Sequence, residues 1–172
     1  MTTTSLITRA AEGMAMLGGI ILFAIVTVTT VNSAGFALDK IARLWGGSVS
    51  GLPGFEDIVT LLVAPAIILF FPYCQLRMGH VAVEFFTARL PQAARRTMDR
   101  TWAAGMGLTA LFLLYWLPLA MLDNRADGAV SRVLGWTEWP FFIPGFFALA
   151  LWAAICFAQV AGTLEITGET DV

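Results

Sequence analysis

Residues 58–76 read IVTLLVAPAIILFFPYCQL: nineteen residues with no Asp, Glu, Lys, Arg or His, between Asp57 and Arg77. As an α-helix such a stretch rises about 28 Å, and the hydrocarbon core of a bilayer is about 30 Å thick. Lipid offers no partner for an unpaired backbone N–H or C=O, so a segment of this length is expected to be helical. Three further stretches share the pattern. They are 13–38 between Glu12 and Asp39, 101–122 between Arg100 and Asp123, and 139–164 between Glu138 and Glu165. The fold expected is all-α: a polytopic membrane protein with four transmembrane helices, residues 1–172 forming a single membrane domain. The first apolar run has 26 residues, against about 7–15 in the apolar part of a signal peptide. It is read as a retained span.

Composition agrees. Hydrophobic residues make up 58% of the 172, against roughly 45–50% in a soluble domain. Charged residues are 13%, about half the usual share. A formal net charge of −2 points to no nucleic-acid partner. There are two cysteines, Cys74 and Cys156, and one histidine, His80. That set makes no metal-ligand pattern. Both cysteines fall inside apolar runs and are read as buried free thiols.

Orientation follows from Lys and Arg in the connecting segments. Arg9, Arg77, Arg89, Arg95, Arg96 and Arg100 lie on one side; Lys40, Arg43, Arg125 and Arg132 lie on the other. The richer side is expected to be cytoplasmic, which places both termini and the 77–100 segment there. Trp102, Trp136 and Trp139 stand near span ends, where aromatic residues favour the interface.

Inside the spans, Pro65 and Pro72 each remove a backbone donor from the second helix and should bend it; a fixed kink is favoured over a moving hinge. Pro140 and Pro144 open the fourth span, where a first-turn proline costs little. Ala150, Ala154, Ala158 and Gly162 recur at steps of four and share one helix face. Small residues in this arrangement admit a close helix neighbour, either internal or on another protein. Between spans two and three, Val81, Phe85 and Phe86 alternate with Glu84 and Arg89. A short helix lying in the interface is expected there, with Arg95, Arg96 and Arg100 near anionic lipid head groups. The 39–57 segment, with Gly46-Gly47 and Gly51-Leu52-Pro53-Gly54, reads as turns; it lacks the Lys-Ser/Thr and following helix of a phosphate loop.

No span has an Asp, Glu, Lys, Arg or His in its interior, which argues against a proton-coupled carrier working through this chain alone. One histidine does not make a bis-histidine haem site. No cofactor and no enzymatic chemistry are expected. His80, near an apolar end, is read as a structural hydrogen-bonding or head-group residue rather than a proton switch.

The order of residues at both ends of span two carries a resemblance. Leu52-Pro-Gly-Phe-Glu56-Asp57, then the span, then Gln75-Leu-Arg77-Met-Gly-His80-Val-Ala-Val-Glu84, resembles the DctQ-type small membrane subunit of TRAP (tripartite ATP-independent periplasmic) transporters. The resemblance runs from about residue 14 to 164. Glu56 would be the opening acid; Arg77, His80 and Glu84 would be the closing set, a structural and interface cluster. Three positions depart from the family pattern: 31–36 lacks an Arg-Tyr pair, Phe55 replaces a Trp, and Glu84 replaces an Asp. The resemblance implies a bacterial inner-membrane location. It also implies a large polytopic membrane subunit as partner, a periplasmic solute-binding protein, and sodium-driven uptake of a solute, often an organic acid. In such a system this chain would be a scaffold beside the large subunit, with membrane lipids around it. The rival reading from another class is a membrane-anchor subunit of a quinone-linked redox enzyme; a third is a stand-alone channel or carrier.

Overall fold

The computed structural model describes residues 3–77 and 91–164. It contains four helices long and apolar enough to cross a membrane. Helix α1 spans Thr3–Arg43, α2 Phe55–Leu76, α3 Gln92–Ala126, and α4 Ile143–Val160, the last preceded by a 3-10 turn, Trp139–Phe142. The expectation of an all-α, four-span membrane protein is met. The interfacial helix expected between spans two and three rests on Val81, Glu84, Phe85, Phe86 and Arg89, which lie outside the described residues. Arg95, Arg96 and Arg100 sit in the first turns of α3, which begins just after Pro91 instead of at the first apolar residue. Nothing between Gln92 and Arg100 stops a helix: the run is Gln, Ala, Arg and other adequate formers.

Local chemistry sets the ends. Gly54, in the left-handed region at φ 80°, turns the chain into α2. Glu56 and Asp57 follow in the first turn, where negative charge suits the positive end of the helix dipole. Pro65 and Pro72 lie within α2 and are buried. At the far end of α4, Gly162 adopts φ 72°, and the Thr163 and Leu164 amides turn back to donate to the Ala158 carbonyl. That glycine-dependent cap ends the helix at Val160, short of the uncharged stretch.

The helices pack as a row. α1 lies against α2, α2 against α4, and α4 against α3, leaving α1 and α3 at opposite edges. Small residues let neighbours approach closely, the main route to helix association in lipid. A Cβ on Gly18 of α1 would meet the Ala66 carbonyl oxygen of α2 at 3.1 Å. One on Gly107 of α3 would meet the Cys156 Cβ of α4 at 3.2 Å. Between α3 and α4 the core is built from Ala110, Leu149, Trp152, Ala153 and Cys156, with Phe71 of α2 packed against it. The Phe71 and Trp152 rings are tilted, with centroids 4.8 Å apart. Cys156 is buried and Cys74 half-buried, both as free thiols.

Candidate functional site

At the end of the row formed by the 44–54 and 127–138 segments, four acceptor side chains hold the backbone in place. Asp57, buried at the start of α2, accepts hydrogen bonds at Oδ2 from the Val133 and Leu134 amides, both at 2.8 Å. Bonds to an ionised acceptor are the stronger kind. They seat the 127–138 segment on α2, where the Leu134 side chain rests on Gly54: a Cβ there would come within 2.6 Å of Leu134 Cγ. The segment is stiffened internally. Ser131 donates its amide to the Trp136 carbonyl, and its Oγ accepts from the Trp136 amide. Asn32 of α1 is buried and accepts at Oδ1 from the Leu52 amide at 2.9 Å. Asp39 accepts from the Val49 amide at 3.0 Å and from Arg43 Nε at 2.7 Å.

The opposite end of the row holds a buried polar cluster. Gln75 Nε2 donates to Gln159 Oε1 at 2.7 Å, and Gln159 Nε2 donates to the Gln75 carbonyl at 3.2 Å. Trp152 Nε1 donates to Gln75 Oε1 at 3.3 Å. Two carboxamides and one indole thereby satisfy one another between α2 and α4. This is how a polar group becomes tolerable next to hydrocarbon.

The residues singled out in the sequence are distributed as follows. Glu56 is exposed, whereas its neighbour Asp57 makes the bonds. Arg77 caps α2 and is exposed, its guanidinium 5.6 Å from the centre of the Tyr73 ring. His80 and Glu84 lie outside the described residues. Arg96 and Arg100 are exposed on α3. Arg100 also lies beside the end of α4: its Nη2 would be 3.4 Å from a Cβ on Gly162, where a positive charge suits the negative helix terminus. Of the four small residues expected on one helix face, Ala150, Ala154 and Ala158 lie on α4, with Ala154 exposed and the other two half-buried; Gly162 lies beyond the helix end at Val160, in the left-handed region, and so is not part of that face. The buried face of that helix runs instead through Gly145, Ala148, Leu149, Trp152, Ala153, Ile155, Cys156 and Gln159. Within this chain, then, the stripe at steps of four is not where α4 meets α2 and α3.

Four of the best-bonded residues were given no role by the sequence reading: Asp57, Asn32, Gln75 and Gln159. A signal existed for the glutamines, since each is a strong hydrogen-bonding group at the end of an apolar span and must find a partner there. None existed for choosing Asp57 over Glu56. Among the described residues no three His, Cys, Asp or Glu side chains gather in a way that could hold a metal ion.

Among the described residues, the polar side chains above bind the chain to itself. Comparison with curated proteins and with solved structures gave no significant match. The family model for the DctQ component of tripartite ATP-independent periplasmic transporters matches residues 46–165. That stretch takes in α2, α3, α4, the Asp57 clamp and the glutamine pair. The chain therefore belongs to the DctQ family, the small inner-membrane component of tripartite transporters that also comprise a large membrane subunit and a periplasmic binding protein.

Proposed function

We propose that this chain is a rigid scaffold for the large membrane subunit of a sodium-driven, binding-protein-dependent symporter of a solute such as an organic acid. One observation carries the reading. The buried polar bonds, Gln75–Gln159–Trp152 at one end and Asp57 with Val133 and Leu134 at the other, lock α2, α4 and the outer segment together. Meanwhile the edge helices expose broad apolar surface, including Phe23 of α1 and Phe112, Tyr115 and Trp116 of α3. A plate of this kind has a fixed middle and sides free for lipid or a partner, and it has no Asp, Glu, Lys, Arg or His in the interior of its spans to couple to an ion. Sodium coupling and solute selection are assigned to the large subunit, in line with the family resemblance.

In the same reading the termini and Arg77, His80 and Glu84 lie at the cytoplasmic surface as an interface cluster. Arg95, Arg96 and Arg100 face anionic head groups, and the 44–54 and 127–138 segments face the periplasmic binding protein. The α4 face bearing Ala150, Ala154 and Ala158 is offered to a helix of the partner.

The test is co-purification followed by reconstitution. Tagged protein extracted from its native membrane in mild detergent should bring down one large polytopic chain in about equal amount. Liposomes holding both chains should take up solute with the binding protein and a sodium gradient, and liposomes with this chain alone should not. Solute flux through this chain alone would overturn the reading, as would co-purification of soluble redox subunits.

A further inference from the structure

Two apolar grooves lie side by side at the end of the row that carries the 127–138 segment. One, about 180 Å³, runs between α2 and the 3-10 turn, past Ala64, Ile68 and Phe141. The other, about 210 Å³, runs between α3 and α4, past Pro118, Met121 and Phe146. Leu117 and Phe142 line both and form the wall between them. At the mouth of the first stands Glu138. Asn124 Nδ2 donates to Glu138 Oε2 at 3.0 Å, and no cation is paired with this carboxylate among the described residues. Asn124 Oδ1 is buried with no donor to it. Exchanging the amide's oxygen and nitrogen would not help, because it would set Oδ1 against the Glu138 oxygen. Arg125, the next residue on α3, holds its guanidinium 5.1 Å from the centre of the Trp139 ring and has no carboxylate partner among the described residues.

The first groove thus carries an acid, Glu138, with no cation paired to it among the described residues, and a base, Arg125, stands nearby over the ring of the adjoining Trp139 without pairing with that acid. Behind them are two clefts suited to two hydrocarbon chains. We propose that this place binds one molecule of phosphatidylethanolamine, its two acyl chains lying in the two grooves and its head group at Glu138 and Arg125. The ammonium supplies hydrogen-bond donors and positive charge for Glu138; the phosphate faces the Arg125 guanidinium. A choline head group carries the same charge but no N–H, so it cannot donate a hydrogen bond, and a glycerol head group offers no cation. The recognition is therefore for the amine, not for phospholipid in general. The site lies at the opposite membrane face from Arg95, Arg96 and Arg100, and it does not depend on the scaffold reading: a chain that carried solute by itself would have the same mouth and grooves.

The test is native mass spectrometry of the full chain, together with any membrane subunit that accompanies it from its native membrane. The sample is delipidated in mild detergent and then offered phosphatidylethanolamine, phosphatidylcholine or phosphatidylglycerol of identical acyl chains. Phosphatidylethanolamine should be retained about fivefold over the other two. Glu138→Gln preserves an acceptor for Asn124 and should abolish that preference. Ala64→Phe fills the first groove from an exposed position and should lower retention of phosphatidylethanolamine while leaving the fold intact by circular dichroism. Equal retention of the three lipids, or an undiminished preference in Glu138→Gln, would overturn the proposal. So would a side chain of the accompanying subunit found filling the grooves.

Discussion

Glu56 and Asp57 are adjacent carboxylates in the first turn of α2 with opposite surroundings. The helix turns by 100° per residue, so only one of them can face the 127–138 segment; Asp57 does, and Glu56 is exposed. Asp57→Ala removes the acceptor of two backbone amides and leaves them unpaired, a loss of about 1–3 kcal/mol. Glu56→Ala should stay within about 0.5 kcal/mol. Thermal unfolding of the two variants in the same detergent measures the difference, and equal losses would mean that the clamp does not hold the segment. Gln75 makes the same kind of argument at the other end. Gln75→Leu strands the Trp152 N–H and the Gln159 amide, each of which now bonds it. In the membrane such a bond averages about 0.6 kcal/mol, with a maximum near 1.7, so unfolding should come earlier by about 1 kcal/mol. The double variant Gln75→Leu/Gln159→Leu should cost less than the sum of the single changes, as expected for groups that bond each other.

The helices differ in how they meet their surroundings. α1 is the longest, at 41 residues, and its uncharged portion alone would extend about 39 Å, roughly 9 Å more than the hydrocarbon core. A helix of this length fits by tilting or by thickening the bilayer around it. Exposed threonines in its middle are satisfied within the helix: Thr27 and Thr30 donate back to the Phe23 and Val26 carbonyls, at 2.8 and 2.7 Å. That leaves an outer face compatible with lipid. Its inner face depends on Gly18, where α2 comes so close that a side chain would press on Ala66, Leu69 and Phe70. Gly19, one residue on, has open space beside it. Gly18→Leu should part α1 from α2 at a cost of about 1–3 kcal/mol, and Gly19→Leu should be nearly neutral. A disulfide between cysteines introduced on facing positions of α1 and α2 would report the separation. Equal cross-linking in the two variants would refute a glycine-dependent contact.

For the whole molecule, the row α1–α2–α4–α3 has a consequence that a closed bundle would not. A closed bundle of four helices turns one stripe of each helix inward; a row leaves two broad faces, and its edge helices each pack mainly against one neighbouring helix. This explains why α1 and α3 expose so many large apolar residues while α2 and α4 carry most of the buried ones. We propose the orientation of the plate from the arginine excess near the 77–100 segment, with that segment cytoplasmic. In a background free of Cys74 and Cys156, Ser48→Cys should react with a membrane-impermeant maleimide added to spheroplasts, and Met98→Cys should react only after the membrane is opened. The reverse pattern would invert the orientation and, with it, the side assigned to the binding protein.

The sequence by itself determined the features that depend on local physics. An uncharged run of nineteen or more residues must be helical in lipid, whatever lies beside it, so the four spans were legible from the chain alone. The order of residues flanking span two sufficed for the family resemblance. Helix ends were legible only in part: the basic run before Arg100 continues α3, and Gly162 stops α4, because both depend on backbone propensity and capping more than on charge. Tertiary structure alone decided which side chains find each other. Gln75 and Gln159 are 84 residues apart, Asp57 and Val133 76 residues apart, and nothing in their local sequence selects these pairings. The same holds for the small residues. Ala150, Ala154, Ala158 and Gly162 recur at steps of four in the sequence, yet α4 stops at Val160, before the last of them, and close approaches are made at Gly18 and Gly107. Periodicity identifies a face of a helix; which face is buried is settled by the positions of the neighbouring helices.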